Sequence, residues 1–140
     1  MANDYTALVK VTGEGRNGGH AESSDGLLST DLSLPKELGG AGTATNPEQL
    51  FAAGWSACFL GALRVAAAQR KIRLSSTEID TELTLNHGSD GYSLAAVLNL
   101  SLGGVTQGEA DELANAAHQI CPYSKAIRGN IPVTINAAAV

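Results

Sequence analysis

The stretch that decides the fold is NPEQLFAAGWSACFLGALRVAAAQR, residues 46–70. Asn46 is a capping residue, Pro47 suits the first helical position, and Gln49 completes a capping-box pattern. Arg70, Lys71 and Arg73 crowd the far end, where cations are favoured. The pattern predicts a helix over about 47–70. Leu50, Phe51, Trp55, Phe59, Leu60, Leu63 and Val65 are distributed around it, and a helix apolar on all sides is buried on all sides. Gly54, Ala57, Gly61 and Ala62 permit close backbone approach. In a small domain, a wholly surrounded central helix needs a second subunit to cover it, so a homodimer is expected.

Working outward, YTALVKV (5–11) reads as a strand and GEGRNGGH (13–20) as a loop. HAESSDGLLSTDLSL (20–34) reads as a hairpin turning at Asp25-Gly26. Pro35 closes this part, and 35–45 is an irregular connection. On the other side, STEIDTELTLNHG (76–88) alternates, turns at 86–91 and returns as SLAAVLNLSL (93–102), an antiparallel hairpin. Thr106 and Glu109 form a second capping box and open a helix to about Ile120. CPYSKAIRGN is a short helix stopped by Gly129, and IPVTINA (131–137) is a final strand. The order β–β–β–α–β–β–α–β is α+β and lacks the regular alternation of a doubly wound sheet. One domain over 1–140 is expected.

Composition narrows the function classes. The net charge of −5 and nine scattered basic residues give no basic patch, so neither nucleic acid nor an anionic membrane is expected as a partner. The uncharged apolar run at 50–63 falls short of the roughly 20 residues that cross a bilayer. No positively charged apolar leader is visible, and the chain reads as cytoplasmic. Two cysteines are too few for a disulfide-stapled secreted scaffold. His20, His87 and His118 lack zinc-ligand spacing, so no metal or cofactor is expected.

The chemistry then rests on Cys58 and Cys121. Cys58 lies about 18 Å along the helix axis from its cap, beyond reach of the dipole at that end. Desolvation raises a thiol from about 8.5, so a nucleophilic Cys58 needs a cation beside it. Without one it is a quiet thiol filling a tight helix contact, and the residues alone leave both readings open. Cys121 precedes Pro122, which biases it away from helical geometry. It is expected at the junction of two helical segments, where its sulfur would meet free N–H groups if it caps the second. CPYS has the letters of a glutaredoxin motif, but that fold needs a strand before the motif and a long helix after it, and here a helical pattern comes first. Glu48 in the first helical turn and Arg16 in the glycine-rich loop read, by themselves, as a cap-region carboxylate and a solvated cation.

Two long motifs change the weight of these residues. TNPEQLFAAGWSACF (45–59) and AAHQICPYSKAIRGNI (116–131) closely resemble the organic hydroperoxide resistance proteins, the Ohr branch of the Ohr/OsmC family. SSDG (23–26) and LPKELGGAG (34–42) fit as well, so the resemblance covers essentially the whole chain. One departure is Trp55, where many members carry Tyr. The resemblance implies an OsmC-like fold with antiparallel sheets, a long buried central helix and an intertwined homodimer whose active sites lie at the interface. The N-terminal strands (5–34) would be exchanged or packed across that dimer. Cys58 would be the peroxidatic cysteine and Cys121 the resolving one. Arg16 would stabilise the thiolate and polarise the peroxide, and Glu48 would orient Arg16. The reductant implied is a dithiol of the lipoyl type. Phe51, Trp55, Phe59 and nearby aliphatics would favour a hydroperoxide with an organic tail, since each buried methylene contributes about 0.8 kcal/mol. The alternatives are an OsmC-type peroxidase of different preference and a non-enzymatic dimeric stress or binding protein with inert cysteines.

Overall fold

The computed structural model describes residues 3–140. They fall into two compact units, the first ending at Leu50 and the second running Phe51–Val140. The first unit contains a sheet of order β1-β2-β3, made of β1 (Val9–Gly13), β2 (Gly19–Ser23) and β3 (Ser29–Asp31). Both pairings are antiparallel, and the β1–β2 ladder closes at Gly13↔Gly19. Asp25 and Gly26 do make the turn to β3: Asp25 Oδ1 accepts from the Leu27 amide at 3.0 Å, and Gly26 has φ 75°. The expected strand at 5–11 begins only at Val9. Its partner β2 ends at Ser23, paired with Val9, and just beyond the ladder the Leu8 carbonyl accepts from the Ser24 amide at 2.9 Å.

The helix α1 (Pro47–Gln69) starts where the capping pattern places it. Asn46 Oδ1 accepts from the Gln49 amide at 2.9 Å. The second arm of the box goes elsewhere: Gln49 Oε1 accepts from Thr45 Oγ1 at 2.7 Å.

In the second unit α1 packs on a sheet of order β4-β5-β6, made of β4 (Ser76–Gly88), β5 (Gly91–Gly103) and β6 (Val133–Ala139). β4 and β5 form the long antiparallel hairpin, and β6 joins β5 in parallel. One sheet face presents Leu98, Leu100 and Leu102 to Trp55, Phe59 and Leu63 of α1 and to Leu113 of α2 (Gln107–Ile120). A short α3 (Pro122–Ile127) follows. Only one face of α1 is buried within the chain. Trp55, Phe59, Ala62, Leu63, Ala66 and Ala67 are inside, whereas Ala53, Ala57, Gly61 and Ala68 are exposed, and Phe51 and Val65 are 39% and 46% exposed. The sheet and α2 cover one side of a helix that is apolar on both.

By length and hydropathy the whole helix is long and apolar enough to cross a membrane, because it continues past Arg64. Its buried face is instead part of this core.

The capping box of α2 closes in both directions: the Glu109 amide donates to Thr106 Oγ1 at 3.1 Å, and the Thr106 amide donates to Glu109 Oε1 at 3.0 Å. Thr106→Ala is expected to cost about 1 kcal/mol. Urea unfolding should show a lower midpoint with an unchanged slope.

Candidate active site

α1, α2 and α3 bring the two cysteines together. The Cys121 Sγ–H donates to Cys58 Sγ at 3.1 Å, although 63 residues separate them. Both are free thiols. Cys58 is half-buried, one turn before Ala62 on a helix face that its neighbours leave partly open, and Cys121 is fully buried.

Cys121 ends α2 and caps α3, with φ −60° and ψ 119°. That extended geometry is what a residue before proline prefers. Its amide still closes α2 on Ala117 O at 2.8 Å, and its carbonyl opens α3 by accepting from the Lys125 amide at 3.0 Å. The Ser124 amide donates to Cys121 Sγ at 3.5 Å. The Tyr123 amide serves Cys58 instead. Two consecutive amides of the first turn of α3 therefore address the two sulfurs. Sequence reasoning found the helix junction but not the Tyr123 amide. Pro122 was the available signal, since a proline at the first helical position predicts unpaired amides just after it.

Burial, first of all, pushes the Cys58 thiol up; the Cys121 thiol pushes it further, and the Tyr123 amide pulls it down. Burial and Cys121 prevail, so a reactive thiolate here needs positive charge in addition.

The first unit holds the other predicted pair. Arg16 Nη1 donates to Glu48 Oε2 at 2.8 Å and Nη2 lies 2.7 Å from Oε1, a two-pronged fork. Such a fork fixes direction as well as distance. The Arg16 hydrogen bond holds the Glu48 carboxyl below its ordinary range, against the opposing effect of partial burial. The glycines around Arg16 are required by the backbone. Gly13, Gly15 and Gly18 all have positive φ, and a Cβ on Gly19 would meet Thr12 O. This tight loop joins β1 to β2 and carries Arg16 on a short 3-10 turn, Gly15–Asn17.

A family model described as OsmC-like protein matches residues 40–136. The chain belongs to the OsmC-like family. It is 47% identical over 136 residues to the organic hydroperoxide resistance protein of Xanthomonas axonopodis pv. citri (strain 306), spanning 96% of this chain and 94% of that one. A crystal structure of an organic hydroperoxide resistance protein from Legionella pneumophila superposes with TM-score 0.90 at 45% identity, covering 96% and 98% of the two chains. A Vibrio cholerae structure, described as a putative organic hydroperoxide resistance protein with captopril in one of its active sites, gives TM-score 0.87 at 38% identity over 100% and 97%. Within the OsmC-like family the chain therefore falls in the organic hydroperoxide resistance branch, and its α+β architecture is that of the solved members.

The aromatic surroundings divide between core and surface. Sequence leaves open which of Phe51, Trp55 and Phe59 faces the site; Trp55 and Phe59 are 0% exposed and belong to the core, against which Cys58 packs. Trp55 Nε1 donates to Ser124 Oγ at 3.0 Å. Of the three aromatic residues, Phe51 alone is exposed, set edge-on to Trp55 with ring centroids 6.1 Å apart. Tyr123 is a further aromatic that the sequence reading passed over. Its half-exposed ring lies 3.6 Å from where a Cβ on Gly54 would stand, one turn before Cys58.

Proposed function

We propose that the protein is a thiol-dependent peroxidase that reduces alkyl, aryl or fatty-acid hydroperoxides to alcohols. The 3.1 Å approach of the two sulfurs carries this reading, in a chain of the organic hydroperoxide resistance branch. The Cys58 thiolate attacks the distal peroxide oxygen, the O–O bond breaks, and the alkoxide takes a proton and leaves as the alcohol. Cys58 becomes a sulfenic acid. The Cys121 sulfur then displaces its hydroxyl, giving a Cys58–Cys121 disulfide and water. A dithiol of the lipoyl type reduces that disulfide by exchange and is itself oxidised.

Arg16 supplies the positive charge that Cys58 needs and polarises the peroxide, and Glu48 orients it. A guanidinium stays charged and carries five donors, so it can serve carboxylate, thiolate and peroxide together. Phe51 and Tyr123, the exposed rings of the second unit's site elements, favour an organic tail over hydrogen peroxide.

The whole chain acts as a single domain within a cytoplasmic homodimer, with the N-terminal strands packed across it and an active site at each interface. Two observations support a second copy. Leu8, Val9, Val11 and Leu27 are exposed in the first unit, and the uncovered face of α1 is lined by Ala53, Ala57, Gly61 and Ala68 in the second. Apolar surface of that extent marks association.

Non-reducing mass analysis after one equivalent of cumene hydroperoxide tests the reading. The expected product has lost two hydrogens and contains a Cys58–Cys121 linkage. Two free thiols surviving excess peroxide would rule the mechanism out.

A further inference from the structure

Ser124 makes two hydrogen bonds that no step of the proposed reaction uses directly. Its amide donates to Cys121 Sγ at 3.5 Å, and its hydroxyl accepts from the Trp55 indole at 3.0 Å. Ser124 and Trp55 are both 0% exposed. Trp55 sits on α1 three residues before Cys58, and Ser124 sits on α3 three residues after Cys121. The bond therefore ties together the two helices that carry the two sulfurs. It also fixes the turn whose Tyr123 amide serves Cys58. An indole N–H has a single donor, and a buried donor left without an acceptor is costly, so little competes with this geometry.

We propose that the Trp55–Ser124 hydrogen bond is a positioning device that sets the first turn of α3 against α1 and governs closure of the Cys58–Cys121 disulfide. The inference rests on the peroxidase reading and adds two residues to it. In the closing step the Cys121 sulfur forms the S–S bond as the C–S–OH oxygen of Cys58 leaves as water, taking up the thiol proton. The oxygen leaves from the side of Cys58 Sγ opposite Cys121, while the two sulfurs, 3.1 Å apart in the dithiol, close to the roughly 2.05 Å of a disulfide. The first turn of α3 has to hold the Cys121 sulfur in line with the breaking S–O bond as the gap closes, and the indole bond keeps it there. Removing the bond leaves attack by Cys58 in place and lets the Cys121 sulfur wander.

Trp55 is also the only tryptophan in the chain, so its emission reports the bond directly. The test uses the full-length protein, one equivalent of cumene hydroperoxide, rapid-quench mass analysis of the disulfide and dimedone to trap sulfenic acid, with stopped-flow fluorescence added for the proteins that keep Trp55. Ser124→Ala should form the sulfenic acid within a few-fold of the wild-type rate, close the disulfide about tenfold more slowly and accumulate the dimedone adduct. Ser124→Thr, which restores a hydroxyl, should recover closure, and Trp55→Phe should behave like Ser124→Ala. A merely structural bond would lower the unfolding temperature of these variants without separating the two rates.

Wild-type closure matched by Ser124→Ala, with an emission shift showing the indole bond gone, overturns the inference and leaves the peroxidase reading standing. Should Ser124→Ala fail to fold, Trp55→Phe and Ser124→Thr decide the matter by the same ratio of rates. A wild-type protein that forms no disulfide overturns both.

Discussion

Cys58→Ser is expected to remove peroxide turnover, by at least on the order of 10³-fold in kcat/KM. An alcohol at this position stays protonated at any workable pH and lacks the polarisable sulfur that attacks a peroxide oxygen. Folding should survive, because Cys58 is half-buried and serine is slightly smaller. Cys121→Ser should behave differently. Attack by Cys58 needs no second sulfur, so one equivalent of peroxide per site should still be consumed before the sulfenic acid accumulates and turnover stops. Stopped-flow consumption of cumene hydroperoxide separates the two variants: none for the first, a single-turnover burst for the second. Full steady-state activity in Cys58→Ser would move the nucleophile elsewhere.

The elements that carry these sulfurs differed in how far sequence revealed them. α1 was legible because Asn46, Pro47 and the run to Gln69 agree at every level: cap, first-turn geometry and apolar content. The β4–β5 hairpin was legible because alternation fixes both pairing and facing, as in Ile79↔Leu100 and Leu83↔Ala96. Cys121 was placed at a helix junction by the proline that follows it. These are local statements, each decided within a few residues.

What could not be read depends on packing between distant segments. No spacing rule brings residues 58 and 121 to 3.1 Å; that distance follows from α1 and α2 sharing one face of the β4-β5-β6 sheet. For the same reason sequence does not say which of the aromatic residues of α1 faces the site. The Trp55 indole finds its acceptor 69 residues away on α3, a pairing that no local pattern announces. The degree to which α1 is covered also depends on partners, since composition reports that a face is apolar and not what lies against it. The Arg16–Glu48 fork was reached through the family resemblance. Residue chemistry alone saw a loop cation and a first-turn carboxylate, each ordinary.

Arg16→Ala should slow the attack step on the order of 10²-fold near neutral pH, with disulfide closure little changed. Burial and Cys121 raise the Cys58 thiol, so its thiolate fraction at neutral pH is small unless a cation offsets them. If Arg16 is that cation, its loss moves the pH–rate profile to higher pH, and the rates of variant and wild type converge as alkali ionises both. Arg16→Lys should recover only part of the rate, because an ammonium restores charge without the fork that engages both Glu48 oxygens.

The carboxylate gives an independent check of sign. Glu48 has a depressed folded pKa, so what it contributes to stability is present above its unfolded value of about 4.3 and is lost as pH falls through the lower folded value. The ion pair is therefore intact through the neutral range, and any loss of activity between pH 8 and about 6 belongs to the thiol rather than to Glu48. A profile measured with Glu48→Gln should lie between wild type and Arg16→Ala, because the guanidinium keeps its charge and loses its orientation. An Arg16→Ala protein whose attack rate and pH midpoint both match wild type would dismiss the arginine from the reaction and leave the Tyr123 amide as the group that lowers the Cys58 thiol.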